Sequence, residues 1–308
     1  MAQTEILLES GTNEIEIMQF ILYGELYGIN VAKVTEIMMS DKVKSVPQVH
    51  PAVEGIFKPR DILLTVVDLP FYLTGKPTEK NPRDLFLVTN FNKMHIAFRV
   101  HNVVGISRIS WADIQKPDNT LNRGAESVAT GIAQCGKNLV TILDFEKIVT
   151  DIAPETGIQE SEIDALGERN RNEHPILLAE DSILLTKMIE DSLRKAGYIN
   201  LKKFNNGQEA WNYLKSVQRD ADLDQKVALI ITDIEMPKMD GHRLTKLVKE
   251  NENLKHIPLI IFSSLINQEM EIKGKQLGAD EQLSKPEIGH LVEVMDHLLE
   301  NREQEIDG

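Results

Sequence analysis

Cysteine is nearly missing from this chain, since Cys135 is the only one in 308 residues. No intramolecular disulfide and no cysteine-based metal cluster can form, and a reducing cytoplasm suits such a chain. Positive charge is also in short supply. With 34 basic against 48 acidic residues the formal net charge is -14, which argues against a basic face that grips nucleic acid or anionic lipid. No window approaches the ~20 apolar residues of a membrane span. The opening segment carries Glu5, Glu9, Glu14 and Glu16 without a basic region or a long apolar core, so no secretion signal is expected. No glycine-rich phosphate loop of the G-x-x-x-x-G-K-[ST] kind occurs. The eight histidines show no metal-type spacing and are expected at the surface. These absences describe a cytoplasmic protein whose partners are proteins, metals or small molecules, and which reaches a membrane only through a partner.

What is present suits a globular protein, 42% hydrophobic and 27% charged, and long enough for two domains of roughly 100 to 200 residues. One seam is visible. Residues 151–173, DIAPETGIQESEIDALGERNRNE, hold seven acidic and two basic residues, and read as an acidic linker. Before it, over 1–150, lie short strand signals such as EIEIMQFILYG, DILLTVVDL, DLFLVTNF and KNLVTILDF. Long helical patterns are scarce there, the best being NVAKVTEIM, so a closed or sandwiched all-β domain is expected. After the seam, over 174–308, strand and helix alternate. PILLAE, INLKKF, KVALIITD, PLIIFSS and ADEQLSK are the strands, with amphipathic helices after each. That rhythm describes a doubly wound parallel α/β domain, for which the flavodoxin-like strand order 2-1-3-4-5 is the expectation adopted.

In such a sheet the ligand site lies beyond the carboxyl ends of the strands. The first strand runs into Glu180 and Asp181, the third into Asp233, the fourth ends on Ser263, and the fifth runs into Lys285 and Pro286. With the first and third strands adjacent, three carboxylates converge. They repel one another unless a cation neutralises them, and hard oxygen ligands suit Mg²⁺ or Mn²⁺. Under that shielding Asp233 can act as a nucleophile toward a phosphoryl donor, with Lys285 pairing the phosphoryl charge and the Ser263 hydroxyl donating to it. Taken singly, each residue has a plainer reading as a cap, a turn or a loop residue. Their joint placement at one end of the sheet is what points to chemistry.

Residues 174–300 resemble a two-component receiver domain of the CheY type in the pair Glu180-Asp181, the segment DIEMPKMDG at 233–241, the hydroxyl at Ser263 and the pair Lys285-Pro286. The resemblance implies that Asp233 is the phosphoacceptor, and that Glu180, Asp181, Asp233 and the backbone carbonyl of Glu235 hold Mg²⁺. It further implies that the domain catalyses only its own phosphorylation and dephosphorylation. Receivers commonly carry an aromatic switch three positions before the lysine, where this chain has Gln282. Gln282 and Ser264 are the candidates to report the phosphoryl state in its place.

Residues 14–150 resemble the CheW coupling protein through LYGINVAKVTEI, VEGIFKPRDILLTVVDL and NLVTILDFEKIV. That resemblance implies two small SH3-like β-barrels and an adaptor that joins chemoreceptors to the histidine kinase CheA. Val34, Glu36, Gly55 and Arg60 are then candidate partner contacts. The order of the two modules is similar to the CheV-type coupling proteins, and implies a cytoplasmic scaffold at receptor arrays whose receiver modulates coupling. Two rivals remain open at this stage. One is a phosphohydrolase of the haloacid dehalogenase type, for which DIEM offers Asp233 and Glu235, though it has no use for the acidic pair at 180–181. The other is a response regulator with a DNA-binding output, which the near-neutral, helix-poor first domain disfavours.

Overall fold

β-Branched and aromatic residues dominate the short runs before residue 143, and those runs form strands because such side chains pack well on a pleated surface. The structure, a computed structural model, describes residues 13–91, 94–115, 128–266 and 268–307. Its strands over the first half are β1 (Glu14–Leu22), β2 (Glu25–Asn30), β3 (Val34–Met39), β4 (Val53–Phe57), β5 (Leu64–Asp68), β6 (Leu85–Phe91), β7 (Met94–Val100), β8 (Asn102–Ser110), β9 (Ala129–Cys135) and β10 (Asn138–Leu143). They form two five-stranded sheets, ordered β8-β1-β2-β10-β9 and β3-β6-β7-β5-β4. Two short helices, α1 (Leu69–Thr74) and α2 (Phe145–Ile152), begin at Asp68 and Asp144. Each of those carboxylates accepts from the N–H three residues on, that of Phe71 and of Lys147, as a helix N-cap does. Phe20, Phe98 and Phe145 meet at the centre of this unit, with Phe98 edge-on to Phe145 at 4.7 Å between ring centroids.

NVAKVTEIM departs from the helical expectation. Only Val31–Lys33 make a single 3-10 turn, capped by the Asn30 side chain, and Val34–Met39 continue as β3, paired antiparallel with β6. Val34 and Met38, four residues apart and both packed against buried clusters, fit either period on paper. Pairing with β6, which lies far away in sequence, decides the matter, as tertiary context overrides local propensity.

The second unit runs from Ile158 onward. It holds α3 (Glu160–Ala165), β11 (Ile176–Ala179), α4 (Ile183–Lys195), β12 (Leu201–Phe204), α5 (Gly207–Val217), β13 (Leu229–Thr232), α6 (Gly241–Lys249), β14 (Leu259–Ser263), α7 (Gln268–Gln276), β15 (Glu281–Ser284) and α8 (Ile288–Asp307). The parallel sheet is ordered β12-β11-β13-β14-β15, the 2-1-3-4-5 topology. No helix among the described residues is long and apolar enough to cross a membrane.

The stretch 151–173, expected as an acidic linker, is folded over much of its length. α2 extends to Ile152, and beyond Gly157 the chain packs onto the α/β unit. Ile158 and Ile163 are buried among Ile288, Leu291 and Val292 of α8. Arg169 pairs with Asp296 at 2.6 Å and donates to the Ala196 carbonyl, and the Asn172 N–H donates to Gly197 O. The acidic residues of the stretch lie largely on the solvent side of α3 while its few isoleucines face inward. An average over the composition sees only the former.

Candidate functional site

β11 and β13 are wholly buried and apolar except for Thr232, and they pair in parallel with Ala179 opposite Thr232. The next residue on each strand is a carboxylate, Glu180 and Asp233, and the Asp233 N–H donates to Ala179 O at 2.9 Å. With Asp181, the two offer carboxylate oxygens that all lie within 4.8 Å of one another. Lys285, brought in just beyond β15, reaches Asp233 Oδ2 at 2.8 Å and Glu180 Oε2 at 3.0 Å. One ammonium among three carboxylates leaves the site acidic. Burial pushes the Glu180 carboxyl well above the usual range, and the neighbouring Asp233 and Asp181 add to this against the opposing pull of Lys285. A set of anionic oxygen donors with surplus negative charge fits a hard divalent cation that retains some water. Glu180, Asp181 and Asp233 are therefore the residues able to hold a metal.

The backbone aims the central carboxylate. Asp233 Oδ1 accepts from the Ile234 N–H at 2.7 Å, and the Thr232 hydroxyl donates to the Asp233 carbonyl. Ser263, fully buried, ends β14, and its carbonyl accepts from the Lys285 N–H at 3.3 Å, which ties the ends of β14 and β15 together. In the turn after Asp233, Glu235 is half-buried, and Asp240 caps α6 by accepting from the Arg243 N–H. Gly241 is required there: a Cβ would fall 1.8 Å from the Asp233 carbonyl oxygen. Asp-Gly at 240–241 thus starts a helix against the back of the loop that carries Asp233.

Gln282 lies against α7. Its side-chain N–H donates to Glu271 O at 2.7 Å, and it occupies the space left by Gly274, where a Cβ would come within 2.2 Å of the amide oxygen. Ser264 is buried beside Ser263. His242, expected at the surface with the other histidines, is buried at the start of α6 with only 3% of its surface exposed. Its position on the inner face of an amphipathic helix decides this, and burial together with the positive charge of Lys273 pushes its pKa down to about 3.

In the β-rich unit, Glu36 and Arg60 form an exposed ion pair at 3.2 Å. Val34, at the start of β3, is half-buried against the Phe20–Phe98 core. Gly55 is buried with φ 139°, and a Cβ there would lie 2.1 Å from the Lys44 carbonyl oxygen, so it serves the close approach of two backbones. Motif reading missed a buried network at the neighbouring residue. Glu54 pairs with Arg99 at 2.5 Å, and Arg99 reaches Asp84 at 3.3 Å. These three residues are scattered in sequence and carry no local signal. Motif reading also missed Glu162 of α3, which accepts from the Gly289 N–H at 2.9 Å. The apolar spacing of Ile163 and Leu166 was the available hint.

A strand-end carboxylate cluster with an opposed lysine, on a 2-1-3-4-5 sheet joined to a unit of two β-sheets, defines a receiver fused to a β-rich scaffold. Residues 16–153 match the CheW-like domain family and residues 176–296 match the response regulator receiver domain family. The chemotaxis protein CheV3 of Helicobacter pylori is 29% identical over 303 residues, which span 94% of this chain and 96% of that protein. CheV2 of the same organism is 27% identical over 311 residues, covering 93% and 95%. The chemotaxis protein CheY1 of Helicobacter pylori is 32% identical over 111 residues, 36% of this chain and 84% of that one. The chain joins a CheW-like domain to a receiver domain and is similar along nearly its whole length to the CheV chemotaxis proteins; it is a chemotaxis adaptor carrying a receiver domain. Neither the phosphohydrolase nor the DNA-binding output is favoured.

Proposed function

We infer that the CheW-like unit couples chemoreceptors to the histidine kinase CheA and that phosphorylation of Asp233 modulates this coupling. One observation supports the reading above the others: Glu180, Asp181 and Asp233 converge with Lys285 at the strand ends of a receiver that follows a CheW-like domain. In this reading an Asp233 carboxylate oxygen attacks the phosphorus of a phosphohistidine. The P–N bond breaks, and the imidazole nitrogen leaves with the electron pair. The Ile234 N–H keeps the carboxylate aimed, Lys285 transfers its charge to the incoming phosphoryl oxygens, and the Ser263 hydroxyl donates to one of them. Glu180, Asp181, Asp233 and the Glu235 carbonyl would hold Mg²⁺, which neutralises charge between carboxylates and phosphoryl group. The receiver turns over nothing but its own acyl phosphate, and Gln282 and Ser264 sense it. Val34, Glu36, Gly55 and Arg60 shape the coupling surface, and the protein works in the cytoplasm beside receptor arrays.

The test is a reconstituted receptor–kinase assay that compares wild type with Asp233→Asn. The variant is expected to assemble with receptor and kinase while losing the response of kinase output to phosphoryl donor. A variant that still responds shows that Asp233 is not the acceptor, and one that fails to assemble shows that the site is structural.

A further inference from the structure

α8 begins just after Lys285, and its first turn is capped from elsewhere in the chain. Glu287, immediately before the helix, bends its carboxylate back to accept from the Ser284 N–H at 3.2 Å. The Gly289 N–H, inside the first turn, donates instead to Oε2 of Glu162 at 2.9 Å, across 127 positions of sequence. N–H groups at a helix start need acceptors, and a carboxylate there also meets the positive end of the helix dipole. Gly289 permits the approach, because a Cβ there would sit 3.1 Å from the Glu162 Cβ. Around this bond α3 is fastened by Ile163, 2% exposed, and by Lys195 of α4, which meets Asp164 at 2.6 Å. Farther along α8, Asp296 holds Arg169 and also accepts from the Tyr198 hydroxyl, at 2.6 Å each.

The same short turn carries Lys285, whose ammonium bridges Asp233 and Glu180. We propose that Glu162 is a positioning residue for the phosphoryl chemistry of Asp233, and that its bond to Gly289 is a latch which opens when Asp233 carries a phosphoryl group. The proposal rests on the reading of Asp233 as acceptor. In the closed form Lys285 bridges two bare carboxylates. A phosphoryl group draws Lys285 to new oxygens, the turn from Lys285 to Gly289 shifts with it, and the bond to Glu162 is strained. Linkage makes the effect reciprocal: whatever the phosphoryl group does to the latch, the latch does to phosphoryl affinity. α3 lies in the stretch that leads from the CheW-like domain into the receiver, so its release is a signal delivered to the connector.

The experiment uses full-length protein with Mg²⁺ and beryllofluoride as the phosphoryl mimic, with binding followed by fluorine NMR and amide hydrogen exchange read on peptides spanning 158–168. Loaded wild type is expected to exchange there about fivefold faster, the equilibrium equivalent of one lost helix cap. Glu162→Ala should exchange rapidly without the mimic, gain nothing further from it, and bind it about fivefold more tightly. Glu162→Gln keeps an acceptor oxygen and should restore most of the wild-type behaviour. A residue that only supports the fold would lower mimic affinity when removed. Unchanged exchange in mimic-loaded wild type overturns the latch without reference to any variant, as does unchanged or weakened affinity in Glu162→Ala. If beryllofluoride fails to bind, or binds Asp233→Asn equally well, the acceptor reading itself falls and the latch falls with it.

Discussion

Replacing Ile163 by alanine separates a tether from a docked helix by a measurable free energy. Ile163 is 2% exposed and sits in the receiver core with Ile158, Ile288, Leu291 and Val292. Removing a buried isoleucine down to its Cβ costs about 2 to 5 kcal/mol, the range reflecting how far the site can collapse. α3 has only six residues and lies at the edge of the unit, so partial collapse is available and about 3 kcal/mol is the reasonable centre of that range. Against the ~5 to 15 kcal/mol that stabilises a typical domain, this is a large fraction. With a urea slope of about 2 kcal/mol/M, the receiver midpoint falls by about 1.5 M. Trp211, half-buried on α5, reports that transition once Trp111 of the other unit is replaced by phenylalanine. Glu168→Ala is the control, since Glu168 is an exposed residue of the same stretch and should change stability by less than ~0.5 kcal/mol. If Ile163→Ala behaves like the control, the segment does not pack on the receiver and the corrected domain boundary is wrong.

Two further outcomes follow from the site and its surroundings. Asp181→Ala should abolish Mg²⁺ or Mn²⁺ binding in a calorimetric titration, because it removes one of the three converging carboxylates; an unchanged affinity would exclude these residues as the metal site. His242 has its pKa pushed down to about 3 from 6.5, mainly by burial. The unfolded chain therefore binds a proton that the folded chain refuses, and stability is lost as pH falls below the unfolded value toward the folded one. Between pH 6.5 and 5 this amounts to at most about 2 kcal/mol. His242→Leu should remove that part of the pH dependence, and an equal drop in both proteins under denaturant titration at the two pH values would show that His242 titrates normally.

The 2-1-3-4-5 order comes from the strand pairing, while local pattern on its own carried the strand-helix alternation of the receiver and the run of polar residues that ends its strands. It could do so because buried parallel strands are continuous apolar runs, and the residue after each run is forced to the same edge. Glu180, Asp181, Asp233 and Lys285, which converge in the fold, are therefore legible in the sequence as strand-end residues. Tertiary structure alone decided where ambiguous segments rest. Val34–Met39 became a strand through pairing with β6, and His242 sank because its helix turned that face inward. Gly55 proved to serve a backbone approach to Lys44. The stretch from Ile158 joined the receiver through two isoleucines, the Glu162 bond to Gly289 and the Arg169 pair with Asp296. Periodicity reports that a face will be covered, but the surface that covers it can come from any distance along the chain. Contacts across such distances depend on the folded path, and no window of sequence contains both partners.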